Sequence, residues 1–232
     1  MERYGYNMKR YVELSEISDG KLYGEEDMAR LGCQECAGCS SCCRGMGDTI
    51  ILDPLDVYRL GTYLGKTTEQ QIQEGALALG LVDGIILPHL QMQPGSDACF
   101  FLNGEGRCSI HDSRPGICRL FPLGRYYENG DFQYFLQKDE CRCTNRSKVK
   151  ISKWLDTPQL PRYRRFILDW HYFLKAVEEK LEQQPEMARQ WDTLILQGFY
   201  MTAYGAEGDF YTQFHKRLEI YRRVILPEET GF

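Results

Sequence analysis

The spacing of apolar residues changes twice along this chain, and each change marks a different kind of element. Asp53 followed by Pro54 reads as an N-cap with proline in the first turn, opening a helix through about Leu64 whose Leu55, Tyr58 and Leu60 turn inward. Gly65 reads as its C-cap. Thr68 with Gln71 three residues later reads as a capping box. Ile72, Ala76 and Leu79 then recur at helical spacing, which predicts a second helix up to Gly80. From Ile85 to Gln137 the rhythm shortens to extended runs: GIILPHLQMQ, CFFLN, RCSI, LGRYY and FQYFLQ. The last two bracket Asn129-Gly130, a pair suited to the positive φ angles of a type I′ hairpin turn. Between the runs, SRPGICRLFP predicts a turn or one helical turn closed by Pro122.

Helical spacing returns after a basic linker, in three stretches at about 161–184, 185–204 and 209–224, separated by Pro185 and by residues 205–208. Phe166, Trp170, Phe173, Val177 and Leu181 fall on one face, as expected of a small helical bundle. The segment up to about Leu31 is polar, bears tyrosines and has no clear period. The pattern therefore predicts an α+β chain in three parts: a lead-in over 1–32, an irregular cysteine-rich domain with short strands and helices over 33–145, and a basic linker with a helical C-terminal region over 146–232.

A chain of 232 residues buries a core without covalent staples, so its ten cysteines need another explanation. All ten lie between Cys33 and Cys143. Mean hydropathy is -0.46 and no long apolar run occurs, which speaks against a membrane-spanning helix. The opening MERYGYNMKRYVELSEIS has basic residues without the apolar stretch of a secretory signal, so a reducing cytoplasm is expected. Disulfides are rare there, and dense cysteine points to metal binding or redox chemistry. A formal net charge of -5 argues against a general nucleic-acid binder. The one basic stretch, with Arg146, Lys148, Lys150, Lys153, Arg162 and Arg164, reads as a solvated face.

The first cysteine cluster runs Cys33-Gln-Glu-Cys36-Ala-Gly-Cys39-Ser-Ser-Cys42-Cys43. Its C-x2-C loops let two thiolates converge on one ion at about 2.3 Å, and the small residues between them let the backbone wrap closely. Vicinal Cys42 and Cys43 would point to opposite faces of an extended chain, so they share one ion only through a special turn. A second group, Cys99, Cys108, Cys118, Cys141 and Cys143, brings the total above the four thiolates of one tetrahedral site. Two four-coordinate ions, or one polynuclear cluster, would use eight of the ten. Arg44, Arg114 and Arg119 are placed to offset thiolate charge.

The run CAGCSSCC, the segment CFFLNGEGRCSIHDSRPGICRLFPL and a later Cys141 together resemble the CxxCxxCC cysteine-cluster family, the YkgJ-like proteins described as zinc- or iron-chelating domains. The resemblance spans about 33–143 and includes C-x-I-x-x-x-R-P and C-R-x-F-P. It implies an eight-cysteine set of Cys36, Cys39, Cys42, Cys43, Cys99, Cys108, Cys118 and Cys141, with Cys143 the competitor for the eighth place and Cys33 an extra. His111 stands where members commonly have an aromatic residue, and it reads as a packing residue before a ligand. The C-x2-C-x2-C opening is similar to half of a bacterial ferredoxin run, although Cys118 is followed by Arg119 where that run has proline. This favours iron, as an iron–sulfur cluster, over zinc.

Three function classes follow. The first is an iron or iron–sulfur protein with a redox, sensor or metal-carrier role. The second is a zinc-stapled interaction module whose C-terminal helices hold a protein partner, and the third is an iron-dependent enzyme or methylase-like accessory protein. In each, thiols must lose protons to bind, so metal uptake releases protons, falling pH weakens it, and the metal-free domain is expected to lose order. Other signals fall away. Gly61-Thr-Tyr-Leu-Gly65-Lys66-Thr67 has too few residues between its glycines for a phosphate loop, a C-x3-C-x2-C triad is missing, and neither HExxH nor GxSxG occurs. His171 and His215 lie on helical patterns beside aromatic residues and read as packing or capping groups.

Overall fold

The computed structural model describes residues 14–32, 39–143, 145–205 and 208–227. Its elements run α1 (Leu14–Ile17), β1 (Met28–Gly32), α2 (Pro54–Leu64), α3 (Thr68–Gln73), β2 (Leu77–Val82), β3 (Ile85–Leu90), α4 (Gly116–Leu120), β4 (Leu123–Glu128), β5 (Asp131–Leu136), β6 (Ser147–Lys150), α5 (Ile151–Leu155), α6 (Leu160–Gln183), α7 (Ala188–Ile195) and α8 (Phe210–Ile225). The fold is mixed α+β, and among the described residues the strands form antiparallel pairs: β1 with β6, β2 with β3 and β4 with β5. No described helix is long and apolar enough to cross a membrane.

Helix α2 begins at its expected cap. The Asp53 carboxylate accepts from the Asp56 N–H at 2.8 Å, the Asp56 carboxylate accepts in return from the Asp53 N–H at 3.2 Å, and Gly65 closes the helix in the left-handed conformation. Hairpin β4–β5 turns on Asn129 and Gly130, both at positive φ. The expected buried face of α6 is present as well, with Phe166, Trp170, Phe173, Val177 and Leu181 all inside.

Several local expectations are corrected. The capping box of α3 is Thr67 with Gln70, one residue earlier than the Thr68–Gln71 pair, because the Thr67 hydroxyl reaches the Gln70 N–H. Thr68 is instead buried and donates to the Tyr200 carbonyl at 2.6 Å. That helix ends at Gln73, not near Gly80. Gly75 turns the chain at φ +76°, and Leu77–Val82 pairs with β3 as a strand. The runs CFFLN and RCSI are not strands; they meet through a single Leu102–Cys108 bridge around a tight loop. Part of the lead-in, Met28–Gly32, pairs with part of the basic linker, Ser147–Lys150, so the backbone before the first cysteines is tied to the backbone after the last.

The hydrophobic core is continuous from the cysteine-bearing half into the helices. Phe166 meets Phe214 at 4.6 Å between ring centroids, Trp170 meets Phe199 at 4.9 Å, and Phe210 stacks on Tyr58 of α2 at 5.2 Å. A π-helical turn at Leu196–Met201 docks the helices on α2 and α3. The buried Tyr200 hydroxyl donates to the Leu52 carbonyl at 3.0 Å, and the Ile86 N–H donates to the Asp192 carboxylate at 2.9 Å.

Candidate metal centre

Three separate stretches of chain bring thiols to one neighbourhood. The first is a 3-10 turn over Ser41–Cys43, in which the Cys43 N–H donates to the Ser40 carbonyl at 2.9 Å. This is the special turn that vicinal cysteines require: successive side chains on a 3-10 turn diverge less than the opposed faces of a strand. The Cys43 thiol donates to the Cys42 sulfur, which lowers the Cys42 pKa to about 7, and the same bond pushes Cys43 well up.

The second stretch lies alongside. The Cys99 N–H donates to the Cys43 carbonyl at 2.7 Å and the Gly45 N–H to the Asp97 carbonyl at 2.8 Å, while Gln93 Nε2 donates to the carbonyls of Cys99 and Leu102 at 3.2 and 2.7 Å. Cys108 follows across a turn organised by Asn103, whose side-chain oxygen accepts from the N–H groups of Glu105 and Arg107 at 3.1 and 2.8 Å. Helix α4 supplies the third stretch, with Cys118. Burial raises the pKa of Cys99 and Cys108 and pushes Cys118 well above the ordinary thiol range. Cys99, Cys108 and Cys42 each add electrostatically to Cys118, and Cys43 feels Cys42, Cys108 and Cys99, so their charges reach one another across the three stretches.

Cys39 and Cys141 gather on an adjoining side. Together with Cys42 they line a small, largely apolar pocket with Leu31, Phe121 and Trp154. The Cys39 thiol donates to the Ser41 hydroxyl at 3.6 Å, and Trp154 Nε1 donates to the Phe121 carbonyl at 3.1 Å. Cys143 is half-buried, its thiol 4.0 Å from the Asn145 carbonyl. Cys33 and Cys36 lie outside the described residues.

The three arginines are placed differently from one another. Arg114 lowers the pKa of Cys42 and Cys108 by its charge, and its Nη1 donates to the His111 carbonyl at 3.0 Å and lies 2.9 Å from His111 Nε2. Burial, then Arg114, depresses the His111 pKa. Arg44 pairs with Asp97 at 3.3 Å on the surface. Arg119 is buried, pairs with Asp156 at 3.6 Å and donates to the carbonyls of Asp156 and Asp112, where it braces α4 against neighbouring loops.

Sequence reasoning passed over Asp56. This buried carboxylate accepts from the Gly116 N–H at 2.7 Å and adds electrostatically to Cys118. Its only sequence signal was its place three residues after the Asp53 cap, which suggested nothing beyond α2. Trp154 and Phe121 were missed for a similar reason, since each lies in a segment read as linker or turn.

Among the described residues, no three His, Cys, Asp or Glu side chains close around a common point as a finished metal site. The donor chemistry is nevertheless that of thiophilic ions: zinc, or iron with sulfide. Residues 35–145 match a family model, CxxCxxCC, described as a putative zinc- or iron-chelating domain. This segment is similar to the CxxCxxCC family. Every described cysteine lies within its bounds, as do α2, α4 and the strands β2 to β5, whereas α6 to α8 lie outside. No curated protein and no solved structure matches the chain.

Proposed function

We propose that the CxxCxxCC-like segment holds iron, as an iron–sulfur cluster, on thiolates drawn from Cys36, Cys39, Cys42, Cys43, Cys99, Cys108, Cys118 and Cys141, and that the chain serves as a redox, sensor or metal-carrier protein. What supports the reading is the approach of three cysteine-bearing stretches of chain: the Cys99 N–H donates to the Cys43 carbonyl at 2.7 Å, and the charges of Cys42, Cys99 and Cys108 reach Cys118. Thiols held above their ordinary pKa, as at Cys99, Cys108 and Cys118, are costly to ionise, and a bound cation removes that cost. Bound iron–sulfur would supply one-electron redox chemistry. In this reading residues 33–145 form the metal-binding unit, Arg114 offsets thiolate charge, and the protein works in the cytoplasm, where thiols stay reduced.

Zinc is the second reading, favoured by the family description, which names both metals. It would make the domain a stapled module whose helices hold a protein partner. Alanine substitution at Cys99 or Cys118 tests the metal reading. Each variant, purified without oxygen, is expected to lose most of the metal found in the parent chain, measured per chain by elemental analysis. Full metal content in either variant removes that residue from the ligand set.

A further inference from the structure

The segment that carries Cys118 is held from two sides, and one of them lies outside the CxxCxxCC-like segment. Helix α4 starts at Gly116, whose N–H is held by the Asp56 carboxylate of α2 at 2.7 Å. On its other side stands Tyr163 of α6, 3% exposed, whose hydroxyl accepts from Arg125 Nη2 at 3.1 Å. The fit is close enough to require glycine. A Cβ at position 116 would overlap the Tyr163 hydroxyl oxygen, whereas it would lie 3.5 Å from Tyr163 Cζ and 3.6 Å from Asp56 Oδ1, both ordinary contacts. Two residues along the same short helix is Cys118, close enough to Asp56 to feel its charge.

We propose that Asp56, Gly116 and Tyr163 form a positioning joint that sets the place of Cys118, so that helix α6 takes part in metal binding from outside the CxxCxxCC-like segment. The inference rests on the metal reading of Cys118. Groups that orient a metal's ligands typically change affinity about ten- to a hundredfold when lost. In this joint, orientation is applied through the backbone of the ligand-bearing helix.

The test is a cycle of Gly116→Ala and Tyr163→Phe in the full chain, read by titration with Co2+, whose thiolate-to-metal charge-transfer absorption reports the thiolates bound. Gly116→Ala alters no ligand and no charge. It is expected to weaken Co2+ binding about ten- to a hundredfold, with less charge transfer per bound ion. Adding Tyr163→Phe removes the overlapping oxygen and is expected to return both readouts to those of Tyr163→Phe alone. Unchanged binding in Gly116→Ala, or a loss that Tyr163→Phe leaves in place, overturns the joint.

A second comparison covers the case in which Gly116→Ala does not fold. Asp53→Ala and Asp56→Ala each remove one half of the α2 capping box, but only Asp56→Ala releases Gly116. Asp56→Ala is expected to bind Co2+ about tenfold more weakly than Asp53→Ala when the two are compared at conditions of equal folded fraction. Equal affinities overturn the joint. A parent chain that takes up no Co2+, Zn2+ or iron overturns the metal reading itself, and this inference with it.

Discussion

His171 shows how a side chain whose role is legible from its neighbours in sequence still takes its partner from elsewhere in the chain. Its ring stacks on Tyr127 at 3.6 Å with the planes 12° apart, and burial, helped by the charges of Lys175 and Arg125, pulls its pKa down to about 4. An imidazole in the unfolded chain titrates near about 6.5. The folded value is the lower one, so the stabilising contribution is complete above about pH 6.5 and is lost as pH falls through about 4. Half-buried Asp53, pushed up to about 6 chiefly by desolvation, acts with the opposite sign. Its contribution is complete below the ordinary aspartate value and is lost as pH rises through about 6. The difference between the parent and His171→Phe isolates the histidine. In urea unfolding of the full chain, the variant is expected to lose less stability than the parent between pH 7 and pH 4.5, and a constant gap would contradict the stacked, neutral ring. The sequence placed His171 rightly on an aromatic helix face but could not supply Tyr127, which comes from a hairpin more than forty residues upstream.

Elements were legible where their signals were local. The start of α2 needed only Asp53-Pro54, and the β4–β5 turn only Asn129-Gly130, because cap and turn chemistry act within a few residues. Asp53→Ala is accordingly expected to cost about 1 kcal/mol, measured as a shift of the urea midpoint with unchanged slope. Strand β2 was misread because Ile72, Ala76 and Leu79 imitate helical spacing, while Leu77, Leu79 and Leu81 carry the alternation of a strand on the same residues. Gly75 decides between them by turning the chain. The β1–β6 pair left no local trace, since each strand gains its partner from a segment over a hundred residues away. The Ser41–Cys43 turn shows the same limit at the site. The spacing announced the thiols, but the short helical turn that lets Cys42 and Cys43 face one neighbourhood had to be seen.

At the scale of the whole molecule, the cysteine-rich half and the helical half are joined where periodicity could not show it. The helices were readable one by one, yet their docking depends on Tyr200 in a π-helical turn, on Asp192 against β3 and on Tyr163 against α4. A chain ending after residue 158 would remove the helical region's contacts with α2, α3 and β3. It is expected to lose the single cooperative unfolding transition and to retain less metal than the full chain. Cooperative unfolding with the parent's metal content would show that the cysteine-rich half needs no support from the helices.

The most direct test is elemental analysis with an ultraviolet-visible spectrum of the full chain, purified without oxygen and without a metal-binding tag. Iron with matching acid-labile sulfide is expected, with a broad visible absorption that dithionite bleaches. Colourless protein with tightly held zinc would move the function to the stapled module. Protein that retains no metal, and takes up none when reconstituted, would contradict the claim that these thiols exist to hold one.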